Sequence, residues 1–108
     1  MMKPPLLADA LPDAAAEVRE LAERSGDEGL PEQVPTLRIF DRCRCGEEWC
    51  ATFYTAPRPS KGWGPKHTTR DLDANAGMIA IDLVDGKIVC VEVLNREDIR
   101  GRLLEVIP

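Results

Sequence analysis

An Asp-Gly pair between two strongly apolar runs constrains the fold of this chain more than any other feature. The runs, residues 78–84 and 87–94, are rich in Ile, Val and Leu, and Asp85 and Gly86 separate them. Asp-Gly favours a two-residue type I′ turn, because both central residues of that turn have positive φ. The sequence therefore predicts a β-hairpin. The predicted register places Leu83 opposite Ile88, Ile81 opposite Cys90, and Ile79 opposite Glu92.

Both faces of this predicted hairpin are largely apolar. One face carries Ile79, Ile81, Leu83, Ile88, Cys90 and Leu94, and the other carries Met78, Ala80, Val84, Val89, Val91 and Val93. A strand pair that is covered on both sides is expected at the centre of a sheet, with helices on one face and a loop or a partner on the other. The valine face allows self-association, so we expect a monomer or a weak homodimer. Asp82 is interpreted as a solubilising charge.

Two helices are expected to flank the sheet. Apolar residues recur at helical spacing between Pro12 and Gly26, where Pro suits the first turn and Gly the end of a helix. Near the C-terminus, Asn95 is a candidate N-cap with Asp98 as its capping partner, and Ile99 begins an apolar stripe.

An earlier strand pair precedes the central hairpin. Residues 36–43 and 49–55 alternate apolar and polar side chains on either side of a turn at residues 45–47, and a short strand is expected near residues 69–72. The sequence thus predicts an α+β fold: a four- to five-stranded, mainly antiparallel sheet with an N-terminal and a C-terminal helix.

Length and composition indicate a single domain. The 108 residues match the usual size of one domain. Within it, residues 1–8 contain two prolines and little pattern, so we expect a flexible arm, and residues 56–68 form a long basic loop.

The net charge of −5 limits the partners. General nucleic-acid binding needs an excess of Lys and Arg and is not expected, whereas an acidic surface favours a basic protein partner. No apolar run is long enough for a membrane span or a secretory signal, so the chain is expected in the cytoplasm, where cysteines remain thiols or bind metals.

Three cysteines within eight residues form the sharpest chemical feature. Cys43, Cys45 and Cys50 flank the predicted turn of the first hairpin. A structural zinc ion requires four donors in a tetrahedron, and the sequence offers His67 or Cys90 as the fourth. This predicts a candidate zinc site. The alternative is that Cys43 and Cys50 are ordinary strand residues, and that Cys90 is a small buried hydrophobe.

The same thiols also allow an enzymatic hypothesis, in which Cys45 or Cys50 acts as a redox or nucleophilic thiol with His67 as base. The sequence shows neither the C-x-x-C motif of thioredoxin-like proteins nor a group that would orient the imidazole. A non-enzymatic binding or interaction protein, with a structural zinc site, is therefore the leading hypothesis, and a small thiol-dependent enzyme is the alternative.

The long loop and the residues just after it form a second candidate site. Trp63 could stack on a planar ligand while nearby cations contact an anion. These cations are Arg58, Lys61, Lys66 and Arg70. The alternative is that Trp63 folds back onto the open face of the sheet.

Overall fold

The computed structural model describes residues 3–108, which form helices around one five-stranded antiparallel sheet. The helices are α1 (Leu7–Ala10), α2 (Pro12–Ser25), α3 (Leu30–Gln33) and α4 (Glu97–Val106), with a 3₁₀ helix at Val34–Thr36. The strands are β1 (Asp41–Arg42), β2 (Phe53–Tyr54), β3 (His67–Asp71), β4 (Met78–Val84) and β5 (Lys87–Leu94), in the spatial order β1-β2-β5-β4-β3. The predicted α+β fold, with helices towards both ends of the chain, is confirmed.

The hydrophobic core lies between the helices and one face of the sheet. Helix α2 contributes its apolar stripe, which includes Val18 and Leu21, and α4 contributes Ile99 and Leu103. Helix α2 ends at Gly26, whose φ of 79° is the left-handed conformation that glycine adopts without strain. Across residues 3–108, no helix combines the length and the apolar character that crossing a bilayer requires.

The central hairpin has the predicted turn but a different register. Asp85 and Gly86 have φ of 53° and 79°, as a type I′ turn requires. Leu83 lies opposite Ile88 as predicted. Beyond that pair the register shifts by one residue, so the pairings predicted for Ile81 and Ile79 are wrong. The observed pairs are Asp82 with Cys90, Ile81 with Val91, and Ile79 with Val93.

A β-bulge at Val89 causes this shift. Ile88 and Cys90 pair with consecutive residues of β4, so Val89 has no partner on that strand. Because successive side chains point to opposite faces, one extra residue exchanges the faces of everything that follows it.

The exchange changes what each face of the sheet carries. Val91 and Val93 join the core, whereas Cys90 and Glu92 share the outer face with Asp82. The apolar second face predicted from the sequence is therefore not formed, and the expectation of a homodimer through that face loses its basis. Asp82 is buried rather than a solubilising charge.

The first hairpin is shorter than predicted. Strands β1 and β2 have two residues each, with Arg42 opposite Phe53. The pairing continues by one hydrogen bond from the Cys43 backbone N–H to the Thr52 carbonyl, 2.8 Å long. Strand β2 then pairs with β5, which joins this hairpin to the central one.

The N-terminal segment differs from the expected flexible arm. The Leu7 N–H donates to the Leu37 carbonyl and the Ile39 N–H to the Pro5 carbonyl, each at 2.8 Å, and the Leu7 side chain is fully buried. The segment from Pro5 is thus held against residues 37–39 by backbone pairing and apolar burial. Met1 and Met2, the start of the expected arm, lie outside the described residues.

The start of α4 also differs from the prediction. The N-cap is Arg96, not Asn95, and no side chain caps the helix. Asn95 has φ of 58°, which turns the chain sharply after β5. The Arg96 guanidinium donates to both carboxylate oxygens of Glu17 at 2.6 and 2.7 Å, and also bonds Asp98. This ion pair fixes α4 against α2, so an interhelical contact takes the place of the predicted cap.

Candidate metal centre and the outer groove

The sulfur atoms of three cysteines converge at one corner of the sheet. The Sγ atoms of Cys43, Cys45 and Cys50 all lie within 4.8 Å of one another. Cys43 and Cys50 are half-buried, and Cys45 is exposed. Sulfur ligands of a single tetrahedral zinc ion, each about 2.3 Å from the metal, lie roughly 3.8 Å apart, so this cluster needs only small side-chain movements to hold one ion.

The backbone of the first hairpin positions these thiols. Cys43 directly follows β1 and is bonded to Thr52, as described above. Cys50 forms a bridge with Leu94 at the end of β5, and its N–H donates to the Glu47 carbonyl at 3.1 Å. The next residue, Ala51, donates to the Val93 carbonyl at 2.8 Å. The cluster therefore joins the edge of the sheet to its central hairpin.

The turn between these cysteines places Cys45 in a distinct electrostatic environment. Gly46 has φ of 79°, which lets the chain turn sharply after Cys45. The backbone N–H of Glu47 bonds the Cys45 sulfur and is the main cause that lowers the Cys45 pKa. Burial, followed by the neighbouring thiols, raises the Cys43 pKa. Of Cys43 and Cys45, Cys45 is thus the thiol that ionises more readily.

The arginines beside the cysteines tie β1 to the C-terminus. Arg42 donates from Nε to the Ile107 carbonyl at 2.7 Å, and Arg44 donates to Asp41 at 2.9 Å and to the Pro108 carbonyl at 3.3 Å. Both side chains are therefore engaged in holding the edge strand against the end of α4.

A wide groove of about 900 Å³ covers the outer face of the sheet and contains the cysteine cluster at one side. Its floor includes a row of side chains that lie directly opposite one another on four neighbouring strands. This row is Tyr54, Cys90, Asp82 and Thr69. The volume is within the range of small-molecule and peptide-binding clefts.

A carboxylate and an imidazole form a bonded pair in this groove. The Asp82 side chain is only 7% exposed, and its Oδ1 accepts hydrogen bonds of 2.7 Å from His67 Nε2 and from Thr69 Oγ1. Burial favours the neutral acid, but the bonds from His67 and Thr69 outweigh it and hold the Asp82 pKa below its usual value. Asp82 is thus the group that orients the imidazole, which the sequence analysis missed.

The sequence itself contains a sign that Asp82 has a polar partner. A carboxylate in the middle of the apolar run 78–84 is costly to bury unless hydrogen bonds satisfy it, so its presence there indicates a polar partner. The partner could not be identified, because His67 and Thr69 meet Asp82 only through the pairing of β3 with β4, which the sequence did not predict.

Glu92 and Tyr54 are two more groups of the groove whose pKa values are raised. Burial, and then the neighbouring Asp82, raises the Glu92 pKa to about 7. Burial, and then the Cys43 thiol, raises the Tyr54 pKa to about 12. Shifted groups that gather in one cleft are typical of binding and catalytic sites.

Neither sequence-predicted fourth ligand is part of the sulfur cluster. The residues whose ligand atoms all lie within 4.8 Å of one another are the three cysteines alone, among residues 3–108. Cys90 is buried on β5, where burial and then Asp82 raise its pKa well above the usual range. His67 lies on β3, at the opposite edge of the sheet from β1.

Only some of the residues predicted for the anion site line the groove. Arg58 lies over the Tyr54 ring, 5.1 Å from its centroid, and Trp63 also lines the groove. Arg70 instead pairs with Asp27 and donates to the Ser25 carbonyl, at the end of α2. Lys61 and Lys66 are exposed. The structure therefore separates Arg70 from the other residues of the predicted anion site.

Comparisons of the chain with protein-family models, with curated proteins and with solved structures find no match.

Proposed function

We propose that this chain is a non-enzymatic, metal-binding interaction protein in which Cys43, Cys45 and Cys50 hold one zinc ion. The convergence of their three sulfur atoms within 4.8 Å is the observation that carries the proposal. Thiolates are soft donors, and zinc is a metal that they commonly bind in proteins.

The position of the site supports a structural role for the ion. Strands β1 and β2 have only two residues each, so the first hairpin has little pairing of its own. An ion that joins Cys43, beside β1, to Cys50, beside β5, would cross-link this hairpin to the centre of the sheet. Metal binding would then contribute directly to folding stability.

Metal analysis and thermal melting test this proposal. Protein purified without chelator should contain close to one zinc per chain, and EDTA should lower its melting temperature substantially. Cys43→Ser, Cys45→Ser and Cys50→Ser should each abolish the bound zinc and the effect of EDTA on the melting temperature. Cys90→Ser is the matched control, because it removes a thiol outside the cluster. Zinc binding that survives each of the three cluster variants would contradict the proposal.

A specific observation favours a second function, a thiol-dependent enzyme. Cys45 is exposed, has a lowered pKa and lies beside two other thiols, which is a suitable arrangement for thiol-disulfide exchange. In metal-free protein, Cys45 should be alkylated by iodoacetamide faster than Cys43. If zinc is absent from the purified protein and Cys45 reduces a small disulfide, the enzyme hypothesis is favoured over the structural site.

The acidic surface suits a basic protein partner, and a reducing cytoplasm keeps the three thiols free to bind metal. With a net charge of −5, association with such a partner should weaken steeply as salt is raised. Pull-down at low and high salt measures this dependence.

A further inference from the structure

Among residues 3–108, no fourth side chain joins the three cysteines of the proposed zinc site. A tetrahedral ion bound by Cys43, Cys45 and Cys50 has one position left. His67 is on β3 and Cys43 follows β1, so four strand spacings of about 4.8 Å, roughly 19 Å along the sheet, separate their strands. Cys90, on β5, lies outside the set of converging sulfurs.

The side of the cluster that faces α4 is closed. A small cavity of about 20 Å³ lies there, with Leu103 and Leu104 on its wall. This space holds about one water molecule, so it does not admit a larger ligand. Glu47 also borders this cavity, but its carboxylate is not among the atoms within 4.8 Å of the sulfurs.

The opposite side of the cluster is open to the groove, which all three cysteines line. Trp49, next to Cys50 in the chain, also lines the groove and is 49% exposed, an unusual exposure for a tryptophan. Arg58 lines the same groove, with its guanidinium over the Tyr54 ring, so the groove also carries a positive charge. The open side of the cluster therefore has an aromatic side chain next to it and a cation in the same groove.

We propose that this open position binds a thiolate from outside the chain, with Trp49 contacting the body of the ligand. The inference rests on the proposed metal function. A sulfur donor completes a four-thiolate site, one of the donor sets that structural zinc sites use, and thiolate is a soft donor that suits zinc. On binding, the incoming sulfur displaces water from the metal and its proton passes to solvent, without change in oxidation state. The ligand is a low-molecular-weight thiol or the cysteine of a peptide.

Cobalt(II) in place of zinc makes the coordination visible, because its absorption bands depend on the number of thiolates and on the geometry. Cobalt-loaded protein is titrated with glutathione, with a short cysteine-containing peptide, and with S-methylglutathione as the matched control. Both thiols should increase the thiolate-to-cobalt charge-transfer band saturably, whereas the S-methyl compound should not. Trp49→Ala should weaken the apparent affinity about tenfold while leaving cobalt binding intact. The thiol that saturates at the lower concentration identifies the source.

Three results would overturn the inference while leaving the metal site standing. The first is a cobalt spectrum that shows four protein ligands before any thiol is added and that changes in Cys90→Ser, His67→Gln or Glu47→Gln. The second is a three-thiolate spectrum that thiol does not change. The third is loss of cobalt on desalting after thiol addition, which marks the thiol as a competitor. Failure to bind cobalt at all would instead contradict the proposed function itself.

Discussion

Replacing Glu92 with Gln is expected to remove a pH-dependent loss of stability from the protein. Burial in the groove, and then Asp82, raises the Glu92 pKa from 4.5 to about 7. The folded chain therefore binds this proton more tightly than the unfolded chain does. The resulting stabilisation is fully present below the unfolded pKa and is lost as the pH rises through about 7. The folded protein should become less stable between pH 5 and pH 8 because of this group.

The expected size follows from the pKa difference and from the exposure of Glu92. For a fully buried group the difference would correspond to about 3 kcal/mol, at about 1.4 kcal/mol per pKa unit. Glu92 is only half-buried, so screening by solvent reduces its contribution to about 1 kcal/mol. Between pH 5 and pH 8, the free energy of unfolding of Glu92→Gln should therefore fall by about 1 kcal/mol less than that of the wild type.

Urea denaturation followed by tryptophan fluorescence measures this difference. Both proteins are kept metal-free with chelator, so that proton release on metal binding does not contribute. Glu28→Gln, at an exposed position, is the matched control and should follow the wild-type pH profile. If the Glu92→Gln profile runs parallel to that of the wild type, the reasoning about a protonated carboxyl group beside Asp82 is refuted.

Two further predictions concern the fold and the groove. Gly77→Ala should lower the free energy of unfolding by at least about 2 kcal/mol, because φ is 63° and an added Cβ would collide with the Leu94 carbonyl oxygen. Gly101→Ala should instead raise the free energy of unfolding by about 1 kcal/mol, because Gly101 lies in α4 with open space around it. Urea denaturation measures both free energies of unfolding. Equal effects of the two changes would contradict the close contact expected for a Cβ at Gly77 and the open space at Gly101. Asp82→Asn should cost about 1–3 kcal/mol at pH 7, because the two 2.7 Å hydrogen bonds lose their charged acceptor, and nuclear magnetic resonance of the His67 ring should show greater mobility. An unchanged ring and unchanged stability would argue against the pair.

Local chemistry explains which parts of the fold could be predicted from the sequence. The turn at Asp85 and Gly86 and the end of α2 at Gly26 depend on the φ that each residue adopts, so a short stretch of sequence decides them. The convergence of Cys43 with Cys45 is also local, because Gly46 turns the chain between closely spaced thiols.

Nonlocal packing explains what could not be predicted. The bulge at Val89 leaves no clear mark in a run of β-branched residues, yet it moves Cys90 and Glu92 to the outer face, where they add two polar side chains to the groove. The order of the strands, which separates His67 from the cysteine cluster, depends on how two hairpins join through β2 and β5. The Asp82–His67 pair depends likewise on the pairing of β3 with β4, which joins residues far apart in the sequence.

X-ray absorption spectroscopy at the zinc edge tests most directly whether the three converging thiols hold one ion. Protein purified without chelator should contain near-stoichiometric zinc with at least three sulfur neighbours at about 2.3 Å. This signal should be lost together with the zinc in Cys43→Ser and should be unchanged in Cys90→Ser. A shell of only nitrogen and oxygen neighbours, or a sulfur count that Cys43→Ser leaves unaltered, would contradict the proposed site.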